Sequence, residues 1–389
     1  MNHPLFLHIV ERLESFLGKL PTSIQKPVLQ ELTPMKELFL KQRAPRFVLT
    51  GSNRLPVQEV IASTFAAAQP GDLRNVLMEV FRWHEVDVGG HGSLLVLDAR
   101  GADAPALRQI EAELERAPAD VILHLVDGNS GRPVLSRETE QLANIAALTA
   151  VSHAKLVGIS FLGDEKGRAG AIERPSAQAK LQTALTENVQ LRERLLQVFE
   201  LPIVTAETAI SAEAARLMKL LAQQMPNEAR VEMIRISRDR EAQVQIAQTL
   251  VKSTSAICTA VGAQPIPLAD LPILTALQLV MVSGIMYIAG RERSPRAAAE
   301  FIGAMGVNVG AGMVLREGAR AVLKFFPGWG NVVCGMVAGA GTYAVGRAAI
   351  VYFLEGVTLR DARRTYLESR AKARRRKKLP PVLENAARR

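Results

Sequence analysis

The stretch that decides the fold is FVLTGSNRLPVQEVIASTF, residues 47–65. Phe47 to Thr50 is a short apolar run that breaks at Gly51. Ser52, Asn53, Arg54 and Leu55 form a tight polar loop, and Pro56 opens a segment with helical spacing through Val57, Val60, Ile61 and Phe65. Strand, glycine turn and helix in that order is the layout of a phosphate-binding loop, whose backbone N–H groups and helix N-terminus suit an anion. The residues that do the work in such a loop follow the pattern G-x-x-x-x-G-K-[ST]. Counted from Gly51, the second glycine, the lysine and the hydroxyl fall on Pro56, Val57 and Gln58.

Around this stretch, residues 44–225 alternate strand and helix. Strands are predicted at Phe47–Thr50, His84–Val88, Leu94–Asp98, Val121–Val126, Lys155–Ser160 and Pro202–Thr205. Helices are predicted at Val57–Ala68, Ala104–Ala117, Arg137–Val151, Ala177–Phe199 and Ser211–Gln224. The segment Glu85–Asp98, interrupted by Gly89, Gly90 and Gly92, reads as a hairpin. The fold class is therefore α/β, a mixed but mostly parallel sheet with flanking helices and one antiparallel pair. An all-α hydrophobic helical domain follows it.

The boundaries expected are an N-terminal helical arm at 1–43, the α/β domain at 44–225, bridging helices at 226–262, the hydrophobic helical domain at 263–357 and a basic tail at 358–389. In the arm, Leu5, Ile9, Leu13 and Leu17 share one helical face, and Leu29, Leu32, Leu38 and Leu40 mark a second helix. The arm reads as a lead-in packed on the next domain or as a docking or dimerisation element.

At 389 residues the chain has room for two or three domains. Its composition is globular, with 48% hydrophobic and 22% charged residues, and the scarcity of aromatics (5%) beside abundant Ala and Leu favours helices. The net charge of +10 predicts an acidic partner, either lipid headgroups or nucleic acid. Cys258 and Cys334 make no disulfide framework and no metal spacing, which suits a reducing compartment. The N-terminus lacks the basic, apolar and small-residue sequence of a signal peptide. The six histidines are scattered, so neither a metal site nor a nucleophile motif is expected.

In the second half, Pro267-Leu-Ala-Asp-Leu-Pro-Ile-Leu-Thr-Ala-Leu-Gln278, Phe326-Pro-Gly-Trp-Gly330 and Ala338-Gly-Ala-Gly-Thr-Tyr-Ala-Val-Gly-Arg347 complete a familiar order of features. Over roughly residues 20–358 the chain resembles Era-like bacterial GTP-binding proteins fused to a C-terminal hydrophobic helical domain of unknown function. The resemblance implies a membrane-associated GTP-binding protein with a P-loop GTPase-like domain.

Carried over position by position, the implied nucleotide site consists of Gly51, Ser52, Asn53 and Arg54 in the phosphate loop, Asp98 and Gly101 in a D-x-x-G motif, Asp164 in the base-recognition loop, and Thr205 and Ala206 in the last motif. Asp98, in Asp98-Ala-Arg-Gly101, is the implied magnesium ligand. The departures are as instructive. Pro56 removes an N–H, Val57 carries no charge, Gln58 is a poor ligand for a hard cation, and Glu59 puts a carboxylate in the first helical turn, where phosphate would otherwise be attracted. Phe161 and Leu162 replace the Asn and Lys of the base-recognition motif, and no threonine lies between Gly71 and His91 to act as a switch residue. Arg54 is a candidate to stand in for the lysine. The expectation is a pseudo-GTPase: weak GTP or GDP and Mg²⁺ binding at best, no catalytic residue, and a regulatory or scaffold role. The alternatives are an active GTP-binding switch with an atypical loop and an RNA- or ribosome-associated protein acting through the tail.

Leu271–Gly290 and Phe325–Gly346 are uncharged runs of twenty and twenty-two residues, long enough to span a bilayer. The basic segment between them opposes a simple membrane hairpin by the positive-inside tendency. Small residues four apart, Gly306/Gly310 and Gly335/Gly339, predict close helix packing. Membrane insertion and a self-buried helical domain both fit. The tail carries seven basic residues between Arg370 and Lys378, each worth about 1 kcal/mol near an anionic surface. With little aromatic interleaving, lipid is favoured over nucleic acid. The predicted location is the cytoplasm, at or in the cytoplasmic membrane. The predicted partners are that membrane surface or its anionic lipid, with a protein partner or homo-oligomer as further candidates.

Overall fold

The computed structural model describes residues 25–26, 29–31, 38–39, 41–65, 80–88, 91–129, 136–150, 152–162, 176–203, 211–263, 270–305 and 329–376. They fall into two units. Gln42–Arg238 form one, and the described residues of Met1–Lys41 and Asp239–Arg389 form the other.

The first unit is built on a six-stranded sheet. Its strands are β1 (Arg46–Gly51), β2 (Trp83–Asp87), β3 (Ser93–Asp98), β4 (Val121–Asp127), β5 (Lys155–Leu162) and β6 (Leu195–Pro202). The order is β2-β3-β1-β4-β5-β6. Only the β2–β3 hairpin is antiparallel; β3–β1, β1–β4, β4–β5 and β5–β6 are parallel. Parallel strands need crossover helices on the sheet faces, and burial on both faces explains why β1 and β4 are apolar at most positions.

The helices of this unit are α1 (Val57–Phe65), α2 (Ala104–Arg116), α3 (Ser136–Leu148), α4 (Ala177–Glu187), α5 (Val189–Arg194), α6 (Ala212–Gln224) and α7 (Asn227–Ser237). Val48, Ile122, Leu156 and Val198 on one face of the sheet pack with Ile110 of α2, Ile145 of α3, Leu181 of α4 and Leu191 of α5. The other face holds Phe47, whose ring lies 4.9 Å from that of Phe65 on α1, and α6 packs on α1 and β6. Capping sets the helix starts: Asp103 accepts from the Ala106 N–H at 2.9 Å, and Ser211 from the Ala214 N–H at 3.0 Å. At the N-terminal strand ends, the Arg43 guanidinium grips both oxygens of Asp120 at 2.7 Å, and Asp120 also accepts from the Arg46 N–H.

One strand differs from expectation. The helix predicted over Ala177–Phe199 breaks at Asn188, which caps α5 through the Gln190 and Leu191 N–H groups. From Leu195 the chain is a strand rather than a helix, seven residues earlier than predicted. Leu191, Leu195, Val198 and Phe199 fit helical spacing, but pairing in register with β5 satisfies the backbone and buries Val198, Phe199 and Leu201. Most of the N-terminal arm, Gly306/Gly310 and the end of the tail lie outside the described residues.

The second unit contains α8 (Arg240–Gly262), α9 (Asp270–Ile288), α10 (Pro295–Ala304), α11 (Trp329–Phe353) and α12 (Leu359–Arg376). The stretch expected to bridge domains is thus two helices, α7 in the sheet unit and α8 in the helical unit, with the division at Arg238. A Cβ on Gly346 would press on Val251, one on Gly339 on Thr259 and the Ser255 carbonyl, and one on Gly335 on Thr259 and Ala263. The order of those contacts makes α8 and α11 antiparallel, with backbones brought close by the small residues. Buried Thr342 is a polar node between them: it bonds the Cys258 side chain and accepts from Gln278 Nε2 at 3.0 Å. Phe39 lies against the Gly284 position on α9, and its carbonyl accepts from Arg293 at 3.4 Å.

Candidate functional site

The carboxyl ends of β1 and β3 bring the two best-placed predicted motifs together. Gly51 adopts φ +94°, and a Cβ there would run into the Leu125 carbonyl of β4, so only glycine suits this turn. The same carbonyl accepts from the Ser52 N–H at 2.9 Å, which sets the loop on the sheet edge. Gly101 has φ +69°, and a Cβ on it would sit 3.1 Å from Asn53 Nδ2. Gly51, Ser52, Asn53, Asp98 and Gly101 are therefore neighbours. Arg54 is exposed, and its N–H reaches back to Ser52 Oγ at 3.4 Å. Asp164, Thr205 and Ala206 lie outside the described residues.

The centre of this cluster is Arg100, a residue the motif comparison passes over. Its guanidinium donates from Nε to Asp98 Oδ1 at 2.8 Å and from Nη2 to Oδ2 at 2.9 Å. Its Nη1 donates to the Leu55 carbonyl at 2.6 Å and to the Ser52 carbonyl at 3.2 Å. Asp98 and Arg100 are both 8% exposed. The Arg100 N–H also returns to Asp98 Oδ1 at 3.2 Å, so the turn folds the arginine onto its own strand end. The available signal was the spacing itself: a basic residue two after a strand-end carboxylate sits where a turn folds it back on that carboxylate.

This geometry is the reverse of a phosphate cradle. A cradle presents N–H groups to an anion. Here two loop carbonyls point at a cation, and that cation is covalently part of the chain. The residues present do not fit a magnesium triphosphate. Both oxygens of the one candidate metal ligand, Asp98, are engaged by the arginine, position 57 is an uncharged valine, and position 58 offers an amide. Among the described residues no cluster of His, Cys, Asp or Glu has the makings of a metal site.

Beneath the loop lies a second buried polar group. Thr50 and His124 are register partners on β1 and β4. The Thr50 hydroxyl donates to the Leu123 carbonyl at 3.4 Å and lies 3.0 Å from His124 Nδ1. Nε2 has no partner among the described residues. Burial pushes His124 down to about 4, so it is neutral at physiological pH.

In the helical unit, α11 contains a 19-residue apolar span, Gly335–Phe353, half of it buried. Among the described residues it is the one helix long and apolar enough to cross a bilayer.

Fold and site together define an α/β protein with a mostly parallel six-stranded sheet, a glycine turn closed by an internal arginine, and a separate helical unit with one long apolar helix. No family model matches the chain. It is similar to magnetosome membrane protein 22 of Magnetospirillum gryphiswaldense, at 28% identity over 161 residues, which take in 36% of this chain and 81% of that protein.

Proposed function

We propose that the chain is a GTPase-like protein that has exchanged nucleotide for an internal cation and serves as a membrane-associated regulator or scaffold. The observation that carries this reading is the Arg100 guanidinium, bonded at once to Asp98 and to the Ser52 and Leu55 carbonyls. The strand order, with a single antiparallel pair next to the glycine turn, is the one expected of a GTP-binding domain. In a working switch, the phosphate loop and the D-x-x-G turn are joined through nucleotide and magnesium and separate on hydrolysis. Here one side chain joins them permanently, which fits a module held in one state for partner binding.

The membrane part of the reading draws support from the apolar span of α11, the basic sequence after Arg370 and the similarity to a magnetosome membrane protein. The cytoplasmic face of the membrane, with its anionic lipid, is the proposed location. Titrating the purified protein with a fluorescent GTP analogue, with and without magnesium, tests the nucleotide part. No saturable binding is expected in the micromolar range. Magnesium-dependent micromolar binding would overturn it.

A further inference from the structure

α11 and α12 are joined by five residues, Leu354–Thr358, and pack against one another beyond that link. A connector this short makes neighbouring helices antiparallel. Among the described side chains of α12, Ala362 and Tyr366 are buried, four apart on one face, consistent with that packing. Helical residues equally far from the link then lie side by side, which sets Arg370–Arg376 at about the level of Met336–Thr342.

That level is also where α11 is bare. Met336, Val337 and Tyr343 are 43%, 55% and 42% exposed. A Cβ on Gly341 would meet nothing within 4 Å. Towards its C-terminus, Ala348, Ala349 and Ile350 are fully buried. On α12, Arg360, Arg363 and Arg364 are exposed, as are Leu359 and Leu367. The described acids on this helix are two: Asp361, which accepts from the Thr358 hydroxyl, and Glu368, which pairs with Arg364 at 2.8 Å. The hairpin thus combines protruding apolar side chains, one of them aromatic, with a helix rich in arginine. That is the chemistry of a bilayer interface, apolar groups at the acyl boundary and cations among the headgroups.

We propose that the α11–α12 hairpin is an in-plane docking surface for an anionic bilayer, and that α11 lies on the membrane rather than crossing it. This rests on the membrane part of the function proposed above. Crossing would carry Arg363, Arg364 and Arg370 into the hydrocarbon beside α11, and would strip α11 from α8, against which Gly335, Gly339 and Gly346 are seated. Lying flat keeps those contacts and presents arginines to lipid phosphates.

The test uses the full chain with sedimented vesicles of phosphatidylcholine, with and without phosphatidylglycerol. Binding is expected only with phosphatidylglycerol, and high salt is expected to weaken it. Alkaline carbonate is expected to release the protein from native membranes. Two triple variants, M336S/V337S/Y343S and R360Q/R363Q/R364Q, alter exposed side chains and should fold; circular dichroism checks this. The arginine variant is expected to bind roughly a hundredfold more weakly, and the apolar variant also to lose binding. Retention in carbonate, equal binding to both vesicle types, or full binding by both variants would overturn the proposal. So would variants that convert an oligomer to a monomer without changing vesicle binding, since the face would then join copies of the chain. If the wild-type chain binds no vesicle and no native membrane, the membrane reading itself fails. If it binds and the variants bind equally, only the hairpin assignment fails.

Discussion

Replacing Arg100 with alanine removes four hydrogen bonds at one stroke, two to the Asp98 carboxylate and one each to the Ser52 and Leu55 carbonyls. What remains is worse than a missing contact. Asp98 keeps its charge in a site only 8% exposed, with no cation to balance it, and the loop has lost its central support. Breaking a buried pair from one side typically costs about 3–5 kcal/mol, because the surviving charge is uncompensated. In a unit of this size, each kcal/mol moves the midpoint by about 2–4 °C, so a fall of roughly 6–20 °C is expected.

The unit has its own reporter. Trp83 donates its indole N–H to the Glu113 carbonyl at 3.0 Å, and a Trp329→Phe background leaves its fluorescence as the only tryptophan signal in urea unfolding. Arg100→Lys keeps a charge but lacks the planar fork that reaches carboxylate and carbonyls together, so an intermediate loss is expected. The double variant Asp98→Asn/Arg100→Met leaves no buried charge and should be less destabilised than Arg100→Ala alone. A loss below about 1 kcal/mol for Arg100→Ala, or additive effects in the double variant, would refute the idea that the arginine closes the loop.

His124 should make the sheet unit sensitive to acid. Its folded value is about 4, below the ordinary 6.5, so the unfolded chain takes up the proton first; the contribution is complete above about pH 6.5 and is lost as pH falls towards 4, at most about 3 kcal/mol, and a His124→Leu variant should flatten that slope in unfolding measured across this range. The glycines of α11 should divide by position. Gly341→Ala is expected to raise the stability of the helical unit by up to about 1 kcal/mol, while Gly339→Ala should lower it through collision with Thr259, both read by thermal melting. Cys258, fully buried with its thiol pushed up to about 12, should react with a thiol reagent in a Cys334→Ser background only as fast as the helical unit opens, and labelling at the rate of a free thiol would contradict that packing.

How much of this was readable beforehand depends on where each residue finds its partners. β1, β3, β4 and β5 could be placed within a residue or two, because strands covered on both faces must be apolar at nearly every position. Gly51 was legible for a local reason: a strand-to-helix turn needs a backbone conformation that other residues resist. β6 was not, because Leu191, Leu195, Val198 and Phe199 satisfy a helical period, and only the neighbouring β5 decides the matter. The departure of the loop from a phosphate-binding pattern was legible as Pro56, Val57 and Gln58 at the positions of the second glycine, the lysine and the hydroxyl. Its closure was not. Arg100 acts on carbonyls 45 and 48 positions away, and a carbonyl carries no residue identity for a sequence to display. Arg54, the candidate cation near in sequence, is exposed, whereas Arg100 is near in space.

Under the proposed reading, the same arginine gives a physical account of the residue types around it. Once a guanidinium is bonded between Asp98 and the loop carbonyls, a lysine at position 57 would add a second cation at the end of the same loop, and like charges repel. A magnesium ion would have to displace both bonds to Asp98 before gaining its ligand. Val57, Gln58 and the proline at 56 then form a consistent set: a residue with no N–H stands just ahead of α1, and the Asp98 carboxylate at the site is already neutralised from within. The proposed reading predicts an asymmetry that can be measured: introducing Val57→Lys and Gln58→Ser while Arg100 remains should give no magnesium-dependent binding of a fluorescent GTP analogue. Adding Arg100→Ala to that pair is the change that should let it appear. Equal binding with Arg100 in place would mean that the arginine does not keep nucleotide out.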